Sequence, residues 1–218
     1  MTNNKGTASP ARVARMAGLW WLLFIIIGPV SYLAVDGKLL VQDDTAKTLE
    51  NIHSNTALFW IGAAAFFAGY ACFILLAKSL CKLFKPVYSK LTKFMMGIVI
   101  AGTALVVTGK AAEIAAVNIK NAACLFNLRT NIEMAGELFW GIWLVSLVIL
   151  IFKSNLIPKA VGGAVALAAV YHLAVFCAFF ITGTDISTNP VLTFLGLGEF
   201  AIALWLLIRG VRTSKTQD

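Results

Sequence analysis

Six apolar runs, each 19 to 24 residues long, dominate this chain: Ala17–Val35, Asn55–Ala77, Phe94–Val117, Met134–Phe152, Ala160–Thr182 and Pro190–Ile208. A helix rises about 1.5 Å per residue, so about 20 apolar residues cross the roughly 30 Å hydrocarbon core of a bilayer. Lipid offers no hydrogen-bond partner to the backbone, which forces such segments into helices. The expected fold is all-α, a polytopic membrane helix bundle of six transmembrane helices. The chain is 60% hydrophobic and 13% charged, against about 45–50% and about 25% in soluble domains. The segments between the runs leave no room for a separate soluble domain. The expected division is a disordered N-terminal tail over 1–16, a transmembrane domain over 17–208 and a C-terminal tail over 209–218.

The net charge of +8 raises nucleic acid as a partner. The basic residues argue against it, because they fall in short segments between apolar runs, as membrane topology requires. Lys5, Arg12 and Arg15, the five lysines from Lys78 to Lys93, Lys153 and Lys159, and Arg209, Arg212 and Lys215 collect on one side. Lys38, Lys47, Lys120 and Arg129 fall on the other. Thirteen against four places both termini in the cytoplasm, and an even number of spans requires the same. Arg12 and Arg15 ahead of the first run resemble a signal-peptide start, but no small-residue cleavage site follows, so the run is expected to stay as a helix. Four cysteines, Cys72, Cys81, Cys124 and Cys177, show neither CxxC nor metal-ligand spacing.

The third run carries ionisable residues into the membrane. Its apolar opening, Phe94–Val107, is too short to span, so Lys110 and Glu113 must enter the outer part of the bilayer. They stand three apart and share a helix face. Charged groups at that depth turn to a protein interior and pair. Glu137 enters from the same side, and the helix rise places it near their level. One lysine with one or two carboxylates forms an ion pair or triad there. His172 and Glu199 lie near mid-membrane on consecutive runs, so an imidazole–carboxylate contact is geometrically open. These five residues read either as the lining of a polar pocket or as glue between helices.

The remaining segments carry local signals. Trp20 and Trp21 open the first helix at the inner interface, and Gly28–Pro29 predicts a kink. DDTAKTLENIHSN predicts a short surface helix capped by Asp43 or Asp44, with Leu49 and Ile52 against the bundle. Asp43, Asp44, Glu50 and His53 match no metal-ligand spacing, and a solvated loop helix accounts for them. KSLCKLFKPVYSKLTK is basic and amphipathic and is expected to lie at the inner leaflet, broken by Pro86. NIKNAACLFNLRTNIE, Asn118–Glu133, reads as an interfacial helix on the outer face. The fifth run begins with small residues, as close helix packing prefers. Asn189–Pro190 starts the sixth. No GxSxG, HExxH, GxGxxG or P-loop occurs, so no cofactor or metal is expected.

Four pieces together resemble a known family: ARVARMAGLWWLLFIIIGPVSYLAVDGKLLV, the DDTAKTLENIHSN loop, IFKSNLIPKAVGGAVALAA and GLGEFAIALWLLIRGV. The chain is similar over nearly its whole length after Pro10 to a family of bacterial membrane proteins, domain of unknown function 4386. The resemblance implies a multi-helix, multi-pass protein of the bacterial cytoplasmic (inner) membrane and brings no activity with it. Glu199 and Trp205 match the family pattern, and Ser154 and Pro158 match a short inner turn.

Three functional readings follow. The first is a small-molecule binding or transport-related protein with an outward-opening pocket lined by Lys110, Glu113, Glu137, His172 and Glu199. There Lys110 meets an anionic group, and Glu199 with His172 exchanges a proton. The second is a structural or regulatory membrane subunit, without a ligand, that docks through Lys78–Lys93 to a membrane partner or a second copy. The third is an intramembrane enzyme using His172 and Glu199 as acid and base, for which no nucleophile is visible.

Overall fold

The computed structural model describes residues 9–41, 44–119 and 122–211. Six helices in it are long and apolar enough to span a membrane: α1 (Pro10–Leu39), α3 (Thr56–Phe84), α4 (Ser89–Ala116), α5 (Ala122–Ser154), α6 (Lys159–Thr182) and α7 (Pro190–Ile208). A short helix, α2 (Thr45–Ser54), joins α1 to α3. No strand occurs among the described residues. The chain is an all-α multi-pass membrane bundle.

Consecutive spanning helices pack side by side, from α1 on α3 through α6 on α7, and α7 returns to pack on α1. The result is a closed ring of six. Exposed large side chains such as Trp60, Ile61, Ile100, Val170 and Val191 face outward, where lipid takes the place of a protein partner. Two glycines set the closest approaches. A Cβ on Gly18 of α1 would come within 2.5 Å of the Leu207 amide of α7, and one on Gly198 of α7 would overlap the Ala164 carbonyl of α6. With backbones this near, α7 seats between α6 and α1, as small residues allow in membranes.

On the side of the chain termini the ring is filled. Trp21, Leu76, Leu80, Phe84, Leu144, Leu147 and Leu150 are fully buried there. The expected interfacial placing of Trp21 therefore gives way to a core position. The basic strip changes similarly. α3 continues to Phe84 in one helix, because Leu80, Leu83 and Phe84 belong to the core. The lysines project from its last turns, the chain turns at Lys85–Val87, and α4 begins at Ser89. α1 begins at Pro10, capped by the Ser9 side chain, seven residues ahead of the expected boundary. Of the expected tails over 1–16 and 209–218, residues 1–8 and 212–218 lie outside the described residues.

Pro29 ends the α-helical part of α1, and Val30–Asp36 continues as a π-helix. Proline removes one amide donor from the ladder, and π turns adjoin functional sites often. In α2, the Asp44 carboxylate accepts the Lys47 amide at 2.8 Å as an N-cap. Asp43 lies outside the described residues. Ile52 is buried with Val35, Leu39 and Phe59. Asn118–Glu133 is not a separate surface helix. Residues 120 and 121 lie outside the described residues, and from Ala122 the chain runs straight into the spanning part of α5. Arg129 and Glu133 are carried inside the bundle, where the partners described next hold them.

Candidate functional site

Two polar clusters form in the half of the ring away from the chain termini. The first joins α1, α4 and α5. The Lys110 ammonium on α4 lies 2.8 Å from the Glu113 carboxylate one turn away and 3.6 Å from Asp36 at the end of the π segment. Arg129 on α5 spreads across three carboxylates. Its Nη2 reaches Asp36 at 2.5 Å and Glu133 at 2.8 Å, and its Nε lies 2.9 Å from Glu113. That last pair is close in distance but not aligned as a hydrogen bond. A planar guanidinium is suited to such a role, since its donors point outward in a fixed fork. Lys110 also stands 5.2 Å from the centre of the Phe66 ring, within cation–π range. Three carboxylates thus surround two cations.

The second cluster joins α5, α6, α7 and α1. His172 on α6 lies between two carboxylates, with Nδ1 2.5 Å from Glu137 of α5 and Nε2 3.0 Å from Glu199 of α7. Glu199 also accepts two indole N–H groups, from Trp21 at 3.2 Å and Trp140 at 3.1 Å. Gly198 places Glu199 by letting α7 approach α6 next to it. A neutral imidazole has only one N–H. Two N···O contacts on one ring therefore need two protons among the three groups. Either the ring is an imidazolium, or it is neutral and one carboxyl is protonated. The formal charge of the triad is −1 in both cases.

Glu133 and Glu137 stand one turn apart on α5, so one helix face contributes to both clusters. Between them the ring encloses a cavity of about 460 Å³. Its deep end is aromatic: Trp140 stacks on Phe73 with centroids 4.5 Å apart and on Phe24 at 5.2 Å, and Trp143 meets Phe73 at 5.3 Å. Its mouth is formed by Tyr32, Tyr171 and the connection from α6 to α7, where the Tyr171 hydroxyl donates to the Ser187 carbonyl at 2.9 Å. The ionisable carboxyl groups on its wall are Asp36, Glu133 and Glu137.

Of the five residues singled out in the sequence, Glu137 is on the cavity wall. His172 and Glu199 stand directly behind it. Lys110 and Glu113, each no more than 2% exposed, stand behind Asp36. Lys110 meets Asp36 and Glu113 rather than Glu137. Sequence reading missed Asp36, Arg129 and Glu133. One signal was present: Arg129, Glu133, Glu137 and Trp140 recur at spacings of four, four and three, which makes a single helical stripe. Among the described residues no group of three side chains is arranged to hold a metal ion.

No curated protein and no solved structure matches this chain. A family profile, Domain of unknown function (DUF4386), matches residues 16–210. The match takes in both polar clusters and every spanning helix apart from the first six residues of α1, and on that coverage the chain belongs to this family of domains of unknown function.

Proposed function

We propose that this protein binds a small molecule in the central cavity, in a transport-related role at the bacterial cytoplasmic membrane, with both termini in the cytoplasm and the cavity opening outward. The observation that carries the proposal is the cavity itself, about 460 Å³ in volume and adjoined by a histidine held between two carboxylates. A purely structural bundle has no use for a void of this size, because interiors pack close to crystal density. In this reading the Glu137–His172–Glu199 triad exchanges protons with whatever occupies the cavity. Lys110 serves the scaffold, since its ammonium is engaged by Glu113 and Asp36.

A cysteine at Gly28 tests the proposal. Gly28 lines the cavity, and a Cβ there meets no atom within 4 Å. With Cys72, Cys81, Cys124 and Cys177 replaced, Gly28→Cys is expected to react in intact cells with a membrane-impermeant cationic methanethiosulfonate. A cysteine that stays unmodified from both sides of the membrane, yet reacts after denaturation, overturns it. The second reading, a scaffold or regulatory subunit without a ligand, is favoured by one observation: Arg129 ties α1, α4 and α5 together through three carboxylates. It predicts no reaction at Gly28→Cys.

A further inference from the structure

The cavity also limits what it can hold, and three observations bear on that. First, its charged wall is one-sided. Asp36, Glu133 and Glu137 line it, while Lys110, Arg129 and His172 sit behind them. Second, the formal charges around it do not cancel. With every carboxyl ionised, three carboxylates against two cations leave −1 in the first cluster, and the histidine triad carries another −1. Uncompensated charge inside a membrane is costly, so an occupant carrying positive charge is favoured over a neutral or negative one. Third, aromatic residues line much of the wall, among them Phe24, Phe66, Tyr70, Phe73 and Trp140. Such walls attract cations that carry apolar substituents. They provide too few oxygen ligands, spread over too large a volume, for a bare metal ion.

We infer that the cavity takes an organic cation whose ammonium group sits among Asp36, Glu133 and Glu137 and whose apolar body lies against the aromatic side chains. The inference rests on the reading of the cavity as a binding site and adds the chemical class of the occupant. It assigns the three wall carboxylates to the ligand's charge and the aromatic side chains to its apolar body.

Three probes of one shape separate the possibilities: 3-phenylpropylammonium, 3-phenylpropanol and 3-phenylpropionate. Each is titrated into the purified full-length protein in detergent, with tryptophan fluorescence and the thermal midpoint as readouts and protein-free detergent as the blank. The cation is expected to bind at least tenfold more tightly than the alcohol, and the anion not to bind. Glu137→Gln is expected to reduce the preference for cation over alcohol to threefold or less. If the alcohol or the anion binds as well as the cation in the wild-type protein, the cation assignment is overturned and the cavity stands as a binding site. If none of the three binds, both the assignment and the binding-site reading fall. The wild-type ranking needs no variant, so a poorly folding Glu137→Gln does not rescue the inference.

Discussion

Arg129→Met is the sharpest test of how the ring is held together. The guanidinium is 9% exposed and contacts Asp36 at 2.5 Å, Glu133 at 2.8 Å and Glu113 at 2.9 Å. Methionine fills similar volume and supplies no charge. The buried Asp36 and Glu113 and the half-buried Glu133 would then face Lys110 alone, which reaches only Glu113 and Asp36. Removing one partner of a buried ion pair costs about 3–5 kcal/mol, mostly because the other charge is left uncompensated. For a chain of this size each kcal/mol moves the midpoint by about 2–4 °C, so a fall of about 6–20 °C is expected. The assay is thermal denaturation in detergent, following the loss of the monodisperse peak in size-exclusion chromatography. The double variant Arg129→Met, Asp36→Asn should lose less than the sum of the two single losses, because it removes one of the stranded carboxylates. An Arg129→Met midpoint within about 2 °C of wild type would refute the reasoning. It would mean that water or lipid headgroups already compensate these carboxylates.

Other contacts in the bundle carry expected outcomes of their own. Gly198→Ala adds a methyl group that overlaps the Ala164 carbonyl. Overpacking costs about 1–3 kcal/mol or more, so the midpoint should fall and Gly198→Ser should recover nothing. Glu199→Gln should destabilise by about 1–3 kcal/mol, because the amide presents an N–H₂ to one of the two indole donors. Glu137→Gln, whose side chain is 27% exposed and has a single partner, should cost less, and comparing the two midpoints checks the order. Asp44→Ala removes the cap of α2. It should cost about 1 kcal/mol, read as faster proteolysis within Thr45–Ser54 with the spanning helices intact.

The spans were legible in the sequence because lipid imposes a length and a composition that few other folds share. The pairing of His172 with Glu199 was legible for a related reason: two polar groups at one depth on neighbouring helices have few other partners. Asp36 was less visible. It reads as the first residue of an outer loop, and a π segment after Pro29 that keeps the chain helical down to Leu39 has no simple periodic signature. Arg129 and Glu133 were hidden by their charge. A segment as polar as NIKNAACLFNLRTNIE reads as interface until its partners on α1 and α4 are known. Trp21 shows the opposite error, since its aromatic body fits a headgroup belt as well as it fits a core. What decides is Glu199, far away in sequence, which accepts the Trp21 N–H.

The return of the last helix to the first orders events during biogenesis. Trp21 leaves the ribosome 178 residues before the carboxylate it binds, and His172 emerges with only Glu137 beside it. Until Pro190–Ile208 is threaded between its neighbours, the imidazole lacks one acceptor and two indoles lack theirs. A nascent chain halted short of that segment therefore carries exposed polar groups in the bilayer, the kind of defect that membrane quality-control proteases can recognise. Completion of the polar site waits on the insertion of Pro190–Ile208.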